Sequence, residues 1–115
     1  MKRAISIVAT IATLSAATTA AAAELTVLIL PDAYFPEITY LNSGDTVRFI
    51  NQSGVEQNII SESAAWELGP IPDEGEVTMV IDGVVEKSFY NKDLVGEDGA
   101  YLVGGEVSFD TAPVN

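Results

Sequence analysis

FPEITYLNSGDTVRFIN, Phe35 to Asn51, contains two strands and the turn between them. Pro36 to Leu41 is apolar and β-branched enough to extend, and Asn42-Ser43-Gly44-Asp45 is a turn signal that ends it. Thr46 to Asn51 then alternates. Val47 and Phe49 share one face, while Thr46 and Arg48 lie opposite, which is the period of a half-buried strand.

The same rhythm extends outward in both directions. Leu25 to Leu30 predicts a strand stopped by Pro31-Asp32, and Asn58 to Glu62 a short one after the turn Gln52-Ser53-Gly54. Ser63 to Gly75 carries two prolines and two glycines and reads as a loop, with one helical turn near Ala64 to Glu67. Glu76 to Asp82 alternates, with Val77, Met79 and Ile81 on one face, and core packing is the expected role of Met79. Asp82-Gly83 predicts a hairpin-type turn into a strand from Val84 to Tyr90. Asn91 to Gly104 reads as a loop and Glu106 to Asp110 as the last strand. Short strands spaced by turns predict an all-β, Greek-key β-sandwich of seven or eight strands.

The N-terminus has a different character. Lys2 and Arg3 precede an apolar stretch from Ala4 to Ala17, and Ala20 to Ala23 is a run of small residues. This order predicts a secretory signal peptide over residues 1–23 and one exported domain over 24–115, periplasmic or secreted. The apolar stretch is too short and too rich in Ser and Thr for a membrane span. The domain keeps three cations, Arg48, Lys87 and Lys92, against 17 acids, a formal charge of −14. Such a surface repels nucleic acid and favours basic partners. A monomer is expected.

The 115 residues include neither cysteine nor histidine. That excludes a Cys or His nucleophile or base, a Ser-His-Asp triad, and a zinc site of the usual nitrogen and sulfur kind. It also excludes a type 1 copper site, which needs two imidazoles and a thiolate. The composition therefore points away from an enzyme.

Two segments resemble the plastocyanin-like cupredoxin family. In Phe35 to Asn51, residues Pro36, Gly44, Asp45, Val47, Phe49 and Asn51 keep the family's order. In Lys87 to Phe109, Ser88-Phe89-Tyr90 matches the strand that leads into the family's second ligand loop. The resemblance implies a cupredoxin-like sandwich, and blue-copper electron transfer is the function it brings by analogy. It also marks four ligand positions. Gln57 stands at the first histidine, Asn91 at the cysteine, Leu94 at the second histidine, and Val103 near the methionine, with Leu102 as the alternative if the gap moves. Asn58 resembles the family's asparagine that clasps one loop to the other.

None of these four side chains suits copper beside thiolate and imidazole. No cofactor is expected, and the reading favoured is a copper-free module acting through protein contacts or as a structural domain. Two buried amides can bond to each other, so a Gln57–Asn91 hydrogen bond, helped by Asn58, is expected to link the loops. Leu94, Val95, Tyr101 and Leu102 either form an exposed docking surface or fold inward. Asp93, Glu97 and Asp98, and likewise Asp73, Glu74 and Glu76, are acidic clusters without the spacing of a calcium loop. Trp66, the single tryptophan, either anchors a partner or covers an open edge of the core.

Overall fold

The structure is a computed structural model, and it describes residues 22–114. The leader expected over residues 1–23 therefore lies, up to residue 21, outside the described residues. Nine strands follow in order: β1 Glu24–Leu30, β2 Ala33–Phe35, β3 Ile38–Tyr40, β4 Asp45–Asn51, β5 Gln57–Ser61, β6 Glu67–Ile71, β7 Glu76–Ile81, β8 Ser88–Asn91 and β9 Gly104–Ser108. They form two sheets, β2-β1-β4-β7 and β3-β9-β8-β5-β6, packed as a sandwich. Among the described residues no helix is long and apolar enough to cross a membrane.

Alternation decides which side chains meet between the sheets. β4 is buried at every second position, and it pairs in parallel with β1 so that Val27 lies opposite Phe49 and Leu25 opposite Val47. On its other side β4 pairs antiparallel with β7, with Val47 opposite Met79 and Phe49 opposite Val77. Phe89 stands at the centre of the core. Tyr34 and Phe49 meet it edge-on, at centroid distances of 5.0 and 5.4 Å, and Trp66 tilts against it at 6.0 Å. Each such pair is worth about 0.5–1.5 kcal/mol beyond its burial. Trp66 thus covers the core edge, and its Nε1–H donates to the Glu86 carbonyl at 2.9 Å. Met79 packs against the same core.

Three expectations need correction. Among the described residues the strand count is nine rather than seven or eight, because β2 and β6 were not anticipated. The loop from Ser63 contains no helical turn; Ala64 sits at φ 62°, and the chain enters β6 at Glu67. Asp82-Gly83 does not close a hairpin. β7 and β8 belong to different sheets, so the turn carries the chain across the sandwich, and β8 begins only at Ser88.

At the pole where the chain enters, the Asp45 carboxylate is buried and accepts two backbone N–H groups, from Ala23 at 2.8 Å and Asn42 at 2.9 Å. Leu41 N–H donates to the Ser108 carbonyl at 2.9 Å, which brings the end of β9 to the same place.

Candidate functional site

The β4–β5 and β8–β9 loops meet at the opposite pole. β5 begins there with Gln57 and β8 ends there with Asn91, and the two strands run side by side with Ile59 opposite Asn91. Both amides point inward and are almost fully buried. Burial of an unpaired amide costs several kcal/mol at worst, so each must find partners. They find each other: Asn91 Nδ2 donates to Gln57 Oε1 at 2.8 Å.

That bond belongs to a chain with one direction. The Asp93 N–H donates to Asn91 Oδ1 at 3.0 Å. Gln57 Nε2 donates to Ser53 Oγ at 3.0 Å, and Ser53 Oγ lies 2.7 Å from Asn51 Oδ1. Asn51 is fully buried and closes the chain by donating to the carbonyls of Val55 and Ile71, at 2.7 and 2.9 Å. Every amide orientation is fixed by its neighbours, because reversing one would set two donors or two acceptors face to face.

Asn58 bridges the same two loops on the outside. Its N–H donates to Asp93 Oδ2 at 2.7 Å, its Nδ2 lies 3.2 Å from the same oxygen, and its carbonyl accepts from Lys92 N–H at 2.9 Å. Its partner is Asp93 rather than the Gln57–Asn91 pair. Gly69 makes room for it: a Cβ there would lie 2.6 Å from Asn58 Oδ1, and φ is +127°.

The remaining expected residues divide by depth. Val103 is buried in the core, and its carbonyl accepts from Asn91 N–H at 2.9 Å. Leu94 is half-buried and packs against the core. Val95, Tyr101 and Leu102 are exposed at 47, 37 and 67%. Val95 and Tyr101 face each other across an isolated antiparallel bridge, and the Tyr101 ring stacks on Tyr90 at 5.2 Å. So three of the four residues expected to form a docking surface are at the surface, and Leu94 lies beneath them.

Tyr34 is buried in this half of the core. Burial first, and the charge of Asp93 second, hold its hydroxyl well above its ordinary pKa. Its hydroxyl and Thr39 Oγ1 are the buried side-chain atoms without a hydrogen-bond partner among the described residues.

Sequence reasoning placed Asn51 in the family framework, Ser53 in a turn and Asp93 in an acidic cluster, and assigned none of them to this network. The Asn51-x-Ser53 spacing carried a signal: Ser53 N–H donates to Asn51 Oδ1 at 3.0 Å, the turn that short polar side chains make with their own backbone.

The donor set can be tested against copper. Gln57 and Asn91 offer neutral amides whose facing atoms are already bonded to each other, and Leu94 and Val103 have no lone pair to give. A soft copper site needs thiolate and imidazole, so these residues do not fit one. For a hard cation, no three acidic side chains come together among the described residues. Asp93 is instead engaged by Asn58.

No family model matches the sequence, and no curated protein matches it. Solved structures do match in shape. A reduced Cu(I) form of an amicyanin variant superposes with a TM-score of 0.59 at 15% identity, over 73% of this chain and 79% of that one. Another reduced amicyanin variant gives 0.57 at 19% identity, over 79% of this chain and 85% of that one. A copper-containing nitrite reductase from Thermus scotoductus SA-01 gives 0.59 at 10% identity; the match covers 73% of this chain but only 21% of that longer one. At such identities the likeness is one of fold, and the chain is an all-β sandwich with the cupredoxin-like fold.

Proposed function

We propose that this protein is an exported, copper-free cupredoxin-like module that works by protein contact. The observation that carries the reading is the buried Asn91–Gln57 hydrogen bond. Two loops that a metal ion would otherwise join are joined by neutral amides, each with its partners supplied by the protein itself. The contact surface is the site pole, where Val95, Tyr101 and Leu102 are exposed over Leu94 and Val103. Exposed apolar groups beside acidic ones suit a docking surface.

Copper titration of the purified protein tests the first half. No intense visible charge-transfer band and no rise in melting temperature are expected. A stoichiometric copper complex that raises the melting temperature would overturn the reading and favour electron transfer instead. Val95→Asp with Leu102→Asp tests the second half. The double variant should melt like the parent yet lose its partner in pull-downs from the native host, and retained capture would count against this surface.

A further inference from the structure

A second feature lies beside that pole, on the outer face of the five-stranded sheet. Side chains alternate along β3, β9 and β8, so Ile38, Glu106 and Ser88 stand in one row across the face, as their cross-strand pairing shows. Tyr90 and Gly104 form the next pair along. Together with Glu37 and Gly105 these residues line an open groove of about 280 Å³. Gly104 leaves its floor low: a Cβ there would lie 2.9 Å from the Tyr90 ring. One wall is Ile38, exposed at 41%; the other is Tyr90, backed by the stacked ring of Tyr101.

The electrostatics of the groove are one-sided. Two carboxylates, Glu37 and Glu106, stand at it, and no cation lines it. Among the described residues neither carboxylate has an ion-pair partner. The cations among the described residues are engaged elsewhere: Arg48 with Glu24 and Glu76, Lys92 with Glu67, and Lys87 over the Phe109 ring. The larger hollow beside Asp73 and Glu74 is also acidic, but Asp73 there already accepts from Gly54 N–H, and no aromatic ring lines it. Two free carboxylates, an apolar wall and an aromatic face are what a lysine or arginine side chain needs along its length. The head pairs with the acids, the methylene stem lies on Ile38, and the charge sits near the ring.

We propose that this groove receives a lysine or arginine side chain from a basic segment of the protein partner. The proposal rests on the protein-contact reading and names the chemistry of that partner. Tyr101 makes the groove continuous with the exposed pole, since it stacks on the groove's wall and bridges to Val95.

The test is an amide-shift titration of the isotope-labelled protein at low salt with an acetylated Lys-Ala repeat peptide. The shifts should centre on Ser88, Gly104, Gly105 and Glu106. Glu37→Gln with Glu106→Gln should weaken binding about tenfold, the size expected for two exposed charge contacts. Asp73→Asn with Glu74→Gln removes the same charge elsewhere and should weaken it less than about twofold, as a screened long-range effect. Equal losses from the two pairs, or shifts spread over all acidic loops, would overturn the proposal, as would spermine binding as tightly as the peptide. Leu102→Ser, which alters the exposed pole without adding a charge, separates the two readings. Unchanged peptide binding by that variant is expected, and a groove that fails to bind leaves the pull-down result at the pole standing on its own.

Discussion

The two poles of the sandwich are both closed by polar side chains, but of different kinds. At the site pole the buried link is neutral: Asn91, Gln57, Ser53 and Asn51 pass hydrogen bonds along a mostly buried line, and a carboxylate, Asp93, joins the loops only on the exposed side, through Asn58. At the other pole the links are carboxylates. Asp45 accepts from Ala23 and Asn42, and Glu86 accepts from both the N–H and the hydroxyl of Ser63. The difference follows from desolvation. A charge taken out of water is costly unless it is paired, whereas an amide needs only its hydrogen bonds. Neutral groups therefore hold the pole with no cation inside it. Carboxylates serve where backbone N–H groups converge or water is near.

Breaking the neutral pole should have the largest effect. Asn91→Ala leaves Gln57 Oε1 and Asp93 N–H without their partner. With the small cavity added, the expected loss is about 2–4 kcal/mol by chemical denaturation. Adding Gln57→Leu should then cost less than it does alone, since the two groups act as a pair; strict additivity would show that the bond carries no coupling. At the other pole Asp45→Asn replaces one acceptor with a donor that faces a backbone N–H, and the expected loss is about 1–3 kcal/mol.

The smallest effect sharpens the contrast through pH. Hydrogen bonds from the Ser63 side chain and then its backbone hold the Glu86 carboxyl below its ordinary value of 4.5. A carboxyl lowered by folding adds stability above that ordinary value. The contribution is lost as pH falls through the lowered one. Glu86→Gln should therefore lower the melting temperature slightly at neutral pH and leave the acid end nearly unchanged, which flattens the acid limb, whereas the Asn91 and Gln57 variants should shift the whole profile without reshaping it. An Asn91 variant that altered the acid limb would show that the neutral pole is coupled to a titrating group.

How much of this was legible in the sequence varies by element. β4 and β7 were readable because one face of each is buried, and burial imposes a period of two. β6 was read as loop because Gly69 and Pro70 are breakers in most strands. It lies at a sheet edge, where a residue lacking an N–H is tolerated. Asp82-Gly83 was read as a hairpin because the dipeptide specifies a local turn, and a local turn does not determine which sheet the next strand joins. The Gln57–Asn91 bond was anticipated from family positions and not from periodicity. The hydrogen bonds of Ser53 and Asp93 were not foreseen, because a short polar residue on a loop takes its partners from tertiary packing.

The convergence around Asp45 has a consequence for construction. Ala23, Asn42, Leu41 and Ser108 are joined there by hydrogen bonds, so the chain enters and leaves the sandwich side by side. A domain with adjacent ends can be spliced into a surface loop of another protein as a cassette without stretching either. Held in that way, it would present Val95, Tyr101 and Leu102 at the tip farthest from the splice.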